Sequence, residues 1–132
     1  MVEGGCLCGA VRFSVGQFCS DIFKCHCSKC RKAFGGASSA AALAPENAFN
    51  WLQGEDSIHE YHHDAGFRRR FCPQCGSLLP QSLADYHLYW IPMGLLDEDP
   101  GIRLKRHIYV DSKAAWEVLD EHCERLPEGL NT

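Results

Sequence analysis

Apolar and polar positions alternate in short runs, and no stretch of the chain holds a helical period for long. At residues 11–15, Val11, Phe13 and Val15 fall on one side and Arg12 and Ser14 on the other, the period of a half-buried strand. Further β-rich runs occupy 49–52, 58–61, 67–71, 86–91 and 103–110. Turn formers bound them: Gln53-Gly54, the 64–66 stretch and Pro92. This spacing predicts an irregular, mainly β domain. Helix is confined to one turn at 29–33 after Ser28 and a second at 45–48, where Pro45 suits a first helical position. Residues 112–119 read equally well either way. No repeat, low-complexity segment or linker divides the chain, so residues 1–132 read as one domain.

Composition narrows the partners. The net charge of −4 argues against nucleic acid or an anionic membrane as a wholesale partner. No apolar run approaches the roughly 18 residues of a membrane span. The first residues lack the cationic-then-apolar order of a signal peptide, so the expected compartment is the reducing cytoplasm. There, nine cysteines are better explained by metal binding and catalysis than by a disulfide framework, and the odd count fits full pairing poorly.

Seven of the nine fall into three clusters. Cys6 and Cys8 form a CxC flanked by Gly4, Gly5 and Gly9, which permit a sharp backbone turn. Cys25, Cys27 and Cys30 form a CxCxxC around His26. Cys72 and Cys75 lie in a CPxCG, a zinc-knuckle shape in which Pro73 fixes the entry and Gly76 the exit. Zinc takes four protein ligands in structural sites and keeps a position open in catalytic ones. The arithmetic therefore gives a closed site of Cys6, Cys8, Cys72 and Cys75, and an open one of Cys25, Cys27 and Cys30. Two alternatives stay in view: Cys72 and Cys75 as a redox dithiol, and the second trio closed by His26 or another histidine. Cys19 and Cys123 are left over, and read as small buried hydrophobes.

An open three-thiolate zinc favours thiol chemistry over water activation. The metal ionises a coordinating thiol, and the thiolate is the nucleophile. Such a site can make or break a carbon–sulfur bond, with Cys25, Cys27 and Cys30 as the catalytic ligands. Cations nearby suit an acidic thiol whose carboxylates Arg binds bidentately. The candidates are Lys29 and Arg31, which follow the start of the second cluster, and Arg68 and Arg70, which share a strand face that Arg69 does not. His59, His62 and His63 read as turn histidines, His87 as a strand residue and His107 as a hydrogen-bonded structural residue.

Four stretches, GGCLCGAVRF (4–13), CHCSKCRKAFG (25–35), FCPQCGS (71–77) and HIYVDSKAAW (107–116), together resemble the glutathione-dependent formaldehyde-activating enzyme family, whose domain is shared with the centromere protein V group. The resemblance implies a β-tent fold of irregular antiparallel sheets stapled by zinc, with little helix. It implies that Cys6, Cys8, Cys72 and Cys75 hold the structural ion, and that Cys25, Cys27 and Cys30 form the site linked to glutathione, the cosubstrate. The implied reaction joins glutathione and formaldehyde as S-hydroxymethylglutathione, a carbon–sulfur lyase reaction written in reverse. The competing expectations are a zinc-stabilised binding module, and a scavenger of thiols or aldehydes without turnover.

Overall fold

The computed structural model describes residues 1–64 and 66–131, so residue 65 of the expected 64–66 turn lies outside the described residues. The strands are β1 (Val2–Gly5), β2 (Arg12–Val15), β3 (Ile22–Cys25), β4 (Ser39–Pro45), β5 (Phe49–Gln53), β6 (His59–His62), β7 (Arg68–Phe71), β8 (Gln81–Leu83), β9 (Leu88–Pro92), β10 (Leu104–Ile108) and β11 (Glu124–Arg125). One α-helix, α1 (Ser28–Phe34), and several single 3-10 turns complete them. The chain is mainly β, as the alternation predicts. Residues 46–48 form a 3-10 turn at the expected second helical site, and 110–112 another; the rest of 112–119 is turn and irregular backbone. His87 is not in a strand: it follows a 3-10 turn with φ 55, a left-handed position.

Three sheets form. The first has order β1-β2-β5 and the second β11-β10-β3-β4-β9-β8, while β6 and β7 pair as a separate hairpin. Most pairings are antiparallel, but β10 lies parallel to both β3 and β11. The first sheet packs on the second through Phe13, Val15 and Phe49 against Ala44 and Ile91. Phe49 stacks between Phe13 and Tyr89, with centroids 5.5 and 4.0 Å away. Burying each such aromatic is worth about 1.5–3 kcal/mol.

Two smaller clusters hold the cysteines. Cys6 and Cys72 are buried with Val11 and Leu79 where β1, β2 and the turn after β7 meet. Cys25 and Cys30 are buried with Phe23, Ala41 and Ile108, on β3, α1, β4 and β10. Seven residues of isolated helix would not hold together in water. α1 persists because Cys30 anchors it to this cluster and both ends are capped. The Cys27 sulfur accepts from the Cys30 N–H at 3.3 Å, and the Gly35 N–H returns to the Arg31 carbonyl at 2.8 Å.

Candidate functional site

The four-cysteine centre is built from two glycine-closed turns, one closing three residues after its first cysteine and the other four. The Gly9 N–H bonds the Cys6 carbonyl at 3.1 Å, and the Gly76 N–H bonds the Cys72 carbonyl at 2.7 Å. Gly9 and Gly76 have φ of 82 and 77, a region costly for any residue with a Cβ. Gly4 and Gly5 serve a different purpose: they lie in β1, and a Cβ on Gly4 would stand 2.5 Å from the Leu95 carbonyl oxygen. The turns lock together through the Ser77 hydroxyl, which accepts from the Leu7 N–H at 3.0 Å and lies 3.3 Å from Cys75 Sγ. That hydroxyl, with the Ser77 and Cys8 backbone N–H groups, pulls the Cys75 thiol down to about 5.

All four sulfurs lie within 4.8 Å of one another. Cys6 Sγ is 3.7 Å from Cys8 Sγ, which is 3.8 Å from Cys72 Sγ. A zinc–sulfur bond of about 2.3 Å gives a tetrahedron with edges of ~3.8 Å. The residues present therefore fit zinc in both number and spacing. The Val11 N–H pointing at Cys6 Sγ, at 3.3 Å, would steady its charge.

The sulfurs of Cys25, Cys27 and Cys30 also lie within 4.8 Å of one another. No histidine or carboxylate joins them among the described residues. His26 is buried and turned away, its Nε2 2.9 Å from His107 Nδ1. Crowding makes these thiols ionise unequally. Hydrogen bonds from Cys25 and Cys30 push the Cys27 thiol down to about 2, helped by the N–H groups of Cys30 and Lys29. The same bonds, with burial, push Cys25 far above its ordinary value. A divalent cation would end this conflict by ionising all three. The donor set suits zinc, and it is one ligand short of a closed site.

The third cysteine group behaves differently. His107 Nε2, Asp120 Oδ2 and Cys123 Sγ converge within 4.8 Å. His107 Nε2 and Asp120 Oδ2 are only 2.8 Å apart. That is a hydrogen-bond length, shorter than the ~3.3 Å edge expected for nitrogen and oxygen ligands on zinc. This group is a hydrogen-bonded pair that ties the segment after residue 112 to β10. His107 has the hydrogen-bonded setting expected of it, and Cys123 is partly buried beside it; Cys19 is exposed, because its turn faces solvent. All nine cysteines are free.

Arg69 reaches the trio directly. On the β6–β7 hairpin, Arg69 pairs with Tyr61, while Arg68 pairs with His62 and Arg70 with Glu60. The hairpin therefore has two faces. Arg69 turns inward, donating from Nη2 to Cys30 Sγ at 3.5 Å, its guanidinium 3.8 Å from the Phe67 ring centroid and 4.8 Å from that of Trp90. Arg68 and Arg70 line a second, polar cavity of about 630 Å³ together with Glu55 and Glu60, and Arg69 borders it too. Lys29 lines a cavity on the inward side of the hairpin, and Arg31 does not. Reading β7 by alternation separates Arg69 from its neighbours correctly. Which face meets the cysteines depends on how the hairpin docks, and three adjacent arginines carry no signal for that. His59, His62 and His63 enter no metal group among the described residues.

No helix among the described residues is long and apolar enough to cross a membrane. The profile of the family described as glutathione-dependent formaldehyde-activating enzyme matches residues 1–112. A Halomonas elongata protein named "Putative glutathione-dependent formaldehyde-activating enzyme" is 36% identical over 85 residues, 60% of this chain and 54% of its own length. The alignment thus spans about half of that relative. A crystal structure of a Rhodobacter sphaeroides protein superposes with a TM-score of 0.61 at 24% identity, covering 77% of this chain and 97% of that one, a likeness of fold. With the family's match running through all three cysteine clusters, the chain belongs to the glutathione-dependent formaldehyde-activating enzyme family.

Proposed function

We propose that the protein catalyses reversible addition of a small thiol to an aldehyde, as a zinc-dependent carbon–sulfur lyase of the S-hydroxymethylglutathione synthase type. The observation that carries this reading is the three-sulfur cluster lacking a fourth ligand, with a guanidinium against one of its sulfurs. Zinc held by Cys25, Cys27 and Cys30 would supply ionisation of the incoming thiol, the form that attacks a carbonyl carbon. The sulfur–carbon bond forms as the carbonyl π bond opens, and the thiol proton ends on the product hydroxyl.

The chain's own residues organise the rest. Cys27 sits at the start of α1, where its charge is favoured by the Cys30 and Lys29 N–H groups. Arg69 shares its positive charge with Cys30 and, with Lys29 and Lys32 at the cavity edge, attracts a carboxylate. Arg68, Arg70 and Arg31 lie off this path. Cys6, Cys8, Cys72 and Cys75 hold a separate structural ion and take no part in the chemistry.

The test is exchange NMR of glutathione with formaldehyde and zinc-loaded protein. Faster interconversion of free thiol and S-hydroxymethyl adduct, abolished in Cys27→Ser, is the expected result. A rate equal to the uncatalysed background with this pair would remove glutathione and formaldehyde as the substrates, and the same result with other small thiols and aldehydes would overturn the reading.

A further inference from the structure

Between α1 and the inward face of the β6–β7 hairpin lies a cavity of about 550 Å³. That volume falls within the range of small-molecule sites, roughly 300–1,000 Å³. Its walls are unlike those expected for glutathione. Tyr61, Phe67, Phe71 and Leu78 supply an apolar surface. Lys29 and Lys32 stand on the α1 side, and Arg69 closes the end nearest Cys30. No carboxylate lines it among the described residues.

Glutathione carries two carboxylates and an ammonium group along a peptide backbone. Its amides and ammonium would lose water against these aromatic walls with no protein carboxylate to replace it and, beside the tyrosine, only Ser28 and His63 as uncharged polar side chains, and burying an unpaired polar group costs several kcal/mol. Formaldehyde is far too small to use the cavity at all. The lining instead matches a compact apolar body with a single anionic group. An aromatic ring would lie against Tyr61, Phe67 and Phe71, and its carboxylate would meet Lys29 or Lys32. The polar cavity with mixed charge, which would suit a zwitterion better, is lined by Arg68, Arg70, Glu55 and Glu60, and Arg69 and Phe67 separate it from the apolar one.

We infer that the cavity beside the three-cysteine cluster binds an aromatic substituent next to the reacting carbon–sulfur bond, so that this chain prefers aryl-bearing adducts to the glutathione–formaldehyde pair. The inference rests on the thiol–aldehyde reading of that cluster. The ring can enter on either component. An aryl thiol acid, R–SH, adds to formaldehyde as R–S–CH2OH; glutathione adds to an aryl aldehyde, R′CHO, as GS–CH(OH)R′. In both, one sulfur–carbon bond forms, the carbonyl π bond breaks, and the thiol proton moves to oxygen without change of net oxidation.

The experiment compares three pairs on the zinc-loaded full chain by exchange NMR: glutathione with formaldehyde, glutathione with phenylacetaldehyde, and 2-mercapto-3-phenylpropionate with formaldehyde. Each is run on the wild type and Tyr61→Ala, and the two thiols are also titrated calorimetrically. At least one aryl pair is expected to show kcat/KM about tenfold or more above the glutathione–formaldehyde pair, since an apolar pocket discriminates by roughly 10- to 200-fold even for one methylene. That ratio should fall in Tyr61→Ala. Whichever aryl pair leads tells whether the thiol or the aldehyde brings the ring. If no pair turns over but the phenyl thiol binds tenfold tighter than glutathione, with the advantage lost in Tyr61→Ala, the cavity assignment stands and the lyase reading fails. Glutathione binding or reacting as well as the aryl partners, with no change in the ratio for Tyr61→Ala, overturns the inference.

Discussion

The two cysteine centres use the same side chain in opposite relations to the fold. The four-cysteine centre joins turns more than sixty residues apart, Cys8 to Cys72, and little but Ser77 and a small apolar cluster holds those turns together otherwise. The three-cysteine centre is local in sequence and rests on β3, β4, β10 and a doubly capped helix. An ion bound by the first would supply most of what holds it together; the second is framed by the sheet. Metal affinity in the first would therefore be spent on folding, while in the second it would remain free for exchange with a ligand.

Serine replacements at the two centres give the largest contrast. Cys72→Ser removes a fully buried ligand, and structural zinc in small domains is worth on the order of 10 kcal/mol. That equals a typical domain's whole stability, so no cooperative thermal transition is expected by circular dichroism. Cys27→Ser should keep its transition, because serine is itself a favoured N-cap and preserves the start of α1, while the bound zinc falls by one equivalent. Equal loss of stability in both variants would erase the distinction.

The next contrast sharpens which arginine belongs to the site. Arg69→Ala should weaken thiol binding by roughly 10- to 100-fold, the range for losing a hydrogen bond to a charged group. Arg68→Ala, on the other face of the hairpin, should change it less than about twofold in the same titration, given how little exposed charges contribute.

The smallest effect concerns the segment beyond residue 112. The hydrogen bond from His107, with the His122 and Cys123 N–H groups, holds the Asp120 carboxyl well below the usual carboxylate range. A depressed carboxyl stabilises the fold above its unfolded pKa of about 3.9, and that stability is lost as pH falls through the lower folded value. Acid also strips thiolate-bound metal, so the informative quantity is a difference. The gap in melting temperature between wild type and Asp120→Asn should be widest near neutrality and close as pH drops below about 4. A constant gap would mean that Asp120 acts through packing alone.

The site was more legible in the sequence than the sheets that carry it. CxC, CxCxxC and CPxCG name their sulfurs outright, and only the choice of partners needed spatial knowledge. β2 and β5 were equally plain, since each shows one apolar face. β4 was not. Its run of alanines has poor strand propensity, yet Ala41, Ala42 and Ala44 are fully buried at the centre of the six-stranded sheet, where neighbouring β3 and β9 and the aromatic layer leave room only for small side chains. β3 hid for another reason: in Ile22–Cys25 the buried positions are Phe23 and Cys25, and a cysteine reads as a ligand before it reads as core. The parallel entry of β10 beside β3 is a long-range choice with no local signature.

The stacking of Arg69 on Trp90 also makes the site its own optical instrument. A guanidinium 4.8 Å from the indole centroid biases the emission of that ring, and any ligand that draws the charge toward a carboxylate shifts the colour. Trp116 is exposed and Trp51 sits in the separate aromatic core, so a Trp51→Phe, Trp116→Phe chain would carry a single tryptophan emitter, packed under Arg69 beside the thiol cluster. Colourless thiols and aldehydes could then be followed as they arrive, in real time and without a label.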